Sequence, residues 1–281
     1  MRFAILTVSL ALLAADAAAF PESTHPAMLD PSKATAQAPA TFKAKFETTK
    51  GAVVFDCTRA WAPNGVDRFY NLVRIGFFDD VAIFRVVPGF VAQWGIHGDP
   101  KVSSVWQSAN IPPDPPTQSN TRGMLTYAMA GRPDTRSTQV FINYGDNSSL
   151  DAQGFAPICK VSEGMDVADS FYSGYGEKIT HQQGAISLQG NAYLQKSWPK
   201  LDYIEKATIV GEALDPQRGW TKPVDHPADE KSEAPKVESE SSAVPWIIAG
   251  IIVVGLGFML FRSKPEPPPP PPKKKKKKAK S

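Results

Sequence analysis

Cysteine is scarce in this chain. Cys57 and Cys159 are the only two among 281 residues, which excludes a scaffold built on disulfides and leaves an apolar core to hold the fold. Histidine is scarce too: His25, His97, His181 and His226 are scattered, without the close spacing of a metal-binding set, so no metal site is expected. No internal repeat is visible, which sets aside repeat architectures. Two strongly apolar stretches without charge, residues 3–15 and 244–261, frame the chain.

The first follows Arg2 and ends on Ala17-Ala18-Ala19, the pattern of a cleavable secretory signal over residues 1–19. The second is 18 residues long and is followed at once by Arg262 and Lys264. As a helix it would extend about 27 Å, enough to cross a membrane, and basic residues after it place the C-terminus on the cytoplasmic side. The expected arrangement is a single-pass membrane protein with its N-terminal domain outside the cytoplasm. The formal charge of +3 hides a polarity, because the last twenty residues hold nine Lys or Arg and one Glu, leaving the remainder at −5.

Between these segments, residues 20–41 read as a flexible lead and 42–213 as a globular domain. Residues 214–243, with seven acidic residues and four prolines, read as a disordered linker. After the span, the 262–281 tail carries six prolines (267–272) and six lysines (273–278). A cluster of this kind is attracted to anionic lipid by about 1 kcal/mol per charge near the surface, so lipid contact and a solvated tail that only sets topology stand as alternatives, and nucleic-acid binding is not expected. Gly250, Gly255 and Gly257 lack the spacing of a helix-dimer motif, and the domain is expected to be monomeric.

Within the domain, residues 42–58 suggest a hairpin and residues 63–75 an amphipathic helix stopped by Gly76. Residues 98–122 read as a Pro-rich surface loop. Strands are expected at 124–130, 138–142, 155–161 and 207–210, and a short helix at 165–172. Residues 174–204 show no period.

The segment 83–95 sets Arg85, Phe90 and Gln93 within an apolar run, with Pro88-Gly89 favouring a bend that lets Arg85 and Phe90 meet. A permanent cation beside an apolar surface suits polarisation of a peptide bond away from water. Blocks at 84–93 (Phe-Arg-Val-Val-Pro-Gly-Phe-Val-Ala-Gln), 123–131 (Gly-Met-Leu-Thr-Tyr-Ala-Met-Ala-Gly), 137–142 (Ser-Thr-Gln-Val-Phe-Ile) and 150–155 (Leu-Asp-Ala-Gln-Gly-Phe) together make residues 42–211 resemble the cyclophilin family of peptidyl-prolyl isomerases.

That resemblance implies a mostly β fold: an eight-stranded antiparallel barrel capped by two α-helices, here with one C-terminal transmembrane helix. It implies isomerisation of X-Pro bonds in exported polypeptides, without metal or organic cofactor. Arg85 falls on the catalytic position, and Phe90, Val91, Gln93, Ala128, Met129, Gln139, Phe141, Leu150 and Phe155 fall on the substrate groove. Phe84, Met129 and Phe155 replace polar residues of many members and are expected to make the groove more apolar. Ser149 stands where many eukaryotic members have a Trp that contacts cyclosporin, so tight binding of that drug is not expected. The resemblance also suggests that the strands of Cys57 and Cys159 are neighbours, leaving one disulfide or two buried thiols as alternatives. A non-catalytic module or tethered chaperone holding Pro-containing segments in the same groove is the rival reading.

Overall fold

The computed structural model describes residues 24–215 and Arg218. The signal segment, the span 244–261 and the Pro/Lys tail lie outside the described residues. Among the described residues, nine strands form one antiparallel sheet in the order β3-β9-β1-β2-β8-β6-β7-β5-β4. They are β1 (Thr41–Thr48), β2 (Gly51–Thr58), β3 (Val81–Ala82), β4 (Arg85–Val87), β5 (Val91–Trp94), β6 (Met124–Tyr127), β7 (Val140–Asn143), β8 (Pro157–Glu163) and β9 (Tyr203–Ile209). The expected count was eight, and one segment accounts for the difference. Residues 81–82 pair with β9 and residues 85–87 pair with β5, so a single run of chain supplies both edges of the sheet. Only Ile83 and Phe84 separate those edges, which curls the sheet round on itself.

Four α-helices rather than two lie against it: α1 (Pro63–Ile75), α2 (Pro100–Trp106), α3 (Met165–Asp169) and α4 (Gln183–Ser197). α1 begins on a proline, whose missing N–H is no loss there. It ends at Gly76, whose φ of 80° is left-handed and whose N–H turns back to the carbonyls of Leu72 and Val73. Its buried face meets Phe46, Phe55 and Phe78 through Phe69, and Trp94 joins through Phe46 and Phe55, in an aromatic core with ring centroids 5.2 to 6.4 Å apart.

Three boundaries differ from the sequence reading. The lead is not loose over its described part. Ala27 and Met28 are fully buried, Met28 O accepts from the Trp106 indole, and the Ala36 and Ala38 N–H groups donate to Asn71 and Asp67 of α1. At the other end Arg218 is buried and ion-paired with Asp79, donating also to Ala207 O, so the folded unit reaches past residue 213. The Pro-rich stretch 98–122 is only partly surface loop, because α2 lies in it and buries Trp106.

Cys57 and Cys159 face each other across the β2–β8 pair and are joined as a disulfide closing 102 residues. A bridge over so long a loop restricts the unfolded chain strongly. Replacing both cysteines by Ala is expected to cost about 2 to 5 kcal/mol, measured by urea unfolding of the full-length protein. An unchanged unfolding midpoint would contradict this.

Candidate active site

The site is built on the β4–β5 hairpin. Pro88 presets the first turn position and Gly89, at φ 74°, takes the left-handed one, with the Phe90 N–H donating to Val87 O. This turn sets Arg85 directly opposite Gln93, and the next pairing sets Gln93 opposite Phe141 of β7. Arg85, Gln93 and Phe141 therefore form one row across the sheet, with Val91 two residues along on the same face.

Beside that row, Val91, Phe141, Leu150 and Phe155 make a buried apolar cluster, flanked by half-buried Phe90, Ala128 and Met129. The Phe141 and Phe155 rings meet edge to face at 5.9 Å. All ten residues singled out for the site, including Gln139, line one cavity of about 400 Å3. Phe84 is the exception among the apolar replacements. It does not line this cavity but enters a separate cluster with Ile179, Ile186 and Leu194, because alternation along the chain turns it away from its neighbour Arg85.

Arg85 is only 7% exposed. Its guanidinium carbon lies 5.4 Å from the Phe90 ring centroid, within cation–π range. Nη1 donates to Gln93 Oε1 at 2.9 Å, while Nε and Nη2 grip the Glu177 carboxylate at 2.9 and 2.6 Å. Glu177 was not found by sequence reasoning, since no period marks the segment that carries it. Burial raises the Glu177 carboxyl, but the hydrogen bonds and charge of Arg85, the Thr180 hydroxyl and His181 outweigh it and hold the group below the ordinary glutamate value.

Because Arg85 can only donate, Gln93 must present its oxygen to it, and the remaining amides follow in order. Gln93 Nε2 donates to Gln139 Oε1 at 2.8 Å, and Gln139 Nε2 donates to Gln183 Oε1 at 3.0 Å. A buried amide network supports the apolar side. Asn147 Nδ2 donates to Phe90 O and Asn143 Oδ1, and Asn120 Nδ2 donates to Phe155 O. Asn147 opens the sequon Asn147-Ser148-Ser149, but its amide is committed to holding the groove. Among the described residues no cluster of His, Cys, Asp or Glu could hold a metal.

At the far end of the cavity, His97 packs on Phe77 and accepts the Asp99 N–H at Nδ1. Burial pushes its pKa down to about 4, outweighing the charges of Asp99 and Asp80 that favour the cation. The unfolded imidazole takes a proton near pH 6.5 and the folded one does not, so stability falls as pH drops from about 6.5 to about 4, by about 3 kcal/mol in all. Unfolding curves of the protein and of His97→Phe across this window check it. The variant is expected to lose that component of the slope, and an identical slope in both would contradict the assignment.

A family model described as cyclophilin type peptidyl-prolyl cis-trans isomerase/CLD matches residues 43–188. Peptidyl-prolyl cis-trans isomerase A of Dickeya dadantii is 33% identical over 134 residues, covering 45% of this chain and 68% of the relative. The peptidyl-prolyl cis-trans isomerase of Acinetobacter baylyi is 31% identical over 143 residues, covering 48% and 74%. Peptidyl-prolyl cis-trans isomerase B of Escherichia coli is 28% identical over 175 residues, covering 59% and 98%. With an antiparallel sheet curled round an aromatic core and an arginine above an apolar cavity, the chain belongs to the cyclophilin-type peptidyl-prolyl cis-trans isomerases.

Proposed function

We propose that Arg85 catalyses isomerisation of X-Pro bonds in exported polypeptides by stabilising the twisted amide above a pocket that holds the proline ring. The observation that carries this reading is the buried guanidinium poised over Phe90 at the rim of the Phe141–Leu150–Phe155 cluster. Amide resonance sets a rotational barrier of about 18 to 20 kcal/mol, and X-Pro bonds have cis and trans forms close enough in energy for both to be populated. As the bond twists, the prolyl nitrogen recovers its lone pair, and a donor aimed there binds the transition state more strongly than the planar ground state. Arg85 has five N–H donors. Glu177 and Gln93 occupy three, leaving one on each terminal nitrogen. The apolar lining excludes water and strengthens that contact. No covalent bond or proton transfer is required.

The signal pattern at residues 1–19 and the disulfide support an oxidising, extracytoplasmic location. In this reading the domain is tethered through 244–261, with lysines 273–278 against anionic headgroups. A reporter phosphatase that is active only where disulfides form is expected to be active when fused after residue 215 and inactive when fused after residue 281; the reverse pattern would contradict the orientation. Catalysis on a protein client is tested by refolding a secreted protein whose slow phase is limited by X-Pro isomerisation. The slow phase should accelerate in proportion to the amount of this protein. Peptide binding without acceleration would support the non-catalytic module instead.

A further inference from the structure

Glu177 lies between Asp169, where α3 ends, and Gln183, where α4 begins. It reaches back over the groove to Arg85, 92 residues earlier in the chain, and its Oε2 also accepts from the Thr180 hydroxyl at 2.8 Å. The Gln93–Gln139 relay ends on Gln183 of the same segment. One stretch of chain thus holds the arginine by its Nε edge directly and by its Nη1 side through two intervening amides.

Resting on the reading of Arg85 given above, we propose that Glu177 is a positioning residue that fixes the Arg85 fork over the proline pocket and so preorganises it for the twisted amide. The geometry favours orientation over inhibition. The carboxylate takes Nε and one hydrogen of Nη2, leaving a donor free on each terminal nitrogen, and the guanidinium remains stacked over Phe90 while it is held. A bidentate grip on a planar cation fixes both its direction and its plane, which a single contact cannot do. Without it, the long arginine side chain regains rotamers that point away from the reacting nitrogen. The Glu177 side chain is 49% exposed, which screens the pair, but its partner is a buried cation, so its removal should register in turnover together with a modest loss of stability.

The test uses the full-length protein with a proline peptide substrate and compares Glu177→Gln and Arg85→Ala with the parent. For Glu177→Gln, kcat is expected to fall about 10-fold, as misorientation of a reacting group does, with KM within about twofold and at most a modest fall in melting temperature. The 15N-resolved Nε–H signal of Arg85, identified by its loss in Arg85→Ala, should be sharp and slow to exchange in the parent and broadened in Glu177→Gln. An unchanged or raised kcat in Glu177→Gln would overturn the proposal, as would a change confined to KM or melting temperature. If Arg85→Ala turned over at the parent rate, the underlying role of Arg85 would fail instead.

Discussion

Arg85→Ala is expected to lower kcat/KM by about 100- to 1000-fold, the range found when one preorganised donor to a developing charge is removed. The magnitude follows from where the guanidinium sits. It is buried among apolar side chains and stacked on Phe90, so its contact with the localised lone pair is not diluted by water. Arg85→Lys keeps the charge but not the fork. An ammonium cannot donate in one plane to Gln93, Glu177 and substrate together, and its compact charge is more costly to strip of water. The lysine variant is therefore expected to stay within about tenfold of the alanine one rather than of the parent. Protease-coupled assays of a proline peptide give both numbers. A lysine variant at the parent rate would reduce the arginine's contribution to bare charge.

The largest expected loss of stability comes from Asp114→Ala, outside the lining of the groove. Asp114 sits in the Pro-rich stretch, yet both of its oxygens are used. Oδ1 accepts from the Asn64 N–H and side-chain amide at 3.0 Å each, and Oδ2 accepts from the Gly65 N–H at 2.9 Å and from Arg136 Nη2 at 3.1 Å. Ala62 gives α1 no side-chain cap, so Asp114 satisfies first-turn donors from a distance in sequence. It is also the counter-ion of Arg136, whose side chain is 1% exposed. Removing it strips the helix start and strands a cation inside the protein, which costs about 3 to 5 kcal/mol, a large share of the roughly 5 to 15 kcal/mol that usually holds a domain folded. Asp114→Asn keeps an acceptor oxygen and drops the charge, so the difference between the two variants separates the cap from the ion pair. Urea unfolding at neutral pH measures both. A loss below about 1 kcal/mol for Asp114→Ala would show that Arg136 finds other compensation, since an uncompensated buried charge costs more than that.

Both results bear on what the amino-acid sequence reveals. The hairpin that carries Arg85 was legible because its geometry is local: Pro88-Gly89 fixes the turn, and strand alternation then determines which side chains of 85–93 share a face. The 41–58 hairpin and α1 were legible for similar reasons, with Gly76 marking a helix end. Phe141 lies in β7 while Leu150 and Phe155 lie in the connection between β7 and β8, and only the order and content of their motifs brought them to one pocket.

Asp114, Glu177 and Arg218 were illegible because each acts across a long separation and none sits in a periodic run. The stretch 174–204 was opaque for a structural reason. α4 is broken at Gly190, where φ is 61° and ψ is −150°. Two short helical pieces meet there, and their buried positions Ile186, Gly190, Asn191 and Leu194 include a glycine and an amide while Leu188 is exposed, so no apolar period could emerge. Its neighbour Asn191 donates to the Asp80 backbone and carboxylate, fastening the break to the start of β3. The strand count went astray because one extended run, 81–87, changes partners midway, and pairing partners are not written in a side-chain pattern. The burial of Ala27 and Met28 was missed because a proline- and alanine-rich lead has the composition of a loose segment even where it packs.

The most direct measurement of Arg85's role separates binding from turnover. Two-dimensional NMR exchange on a proline peptide follows cis–trans interconversion and, through shift changes, occupancy of the groove. For full-length Arg85→Ala the account expects the peptide to bind within about threefold of the parent affinity, since the apolar pocket is intact, while interconversion falls to near the uncatalysed rate. Exchange cross-peaks that grow as fast as with the parent protein, at equal occupancy, would contradict it.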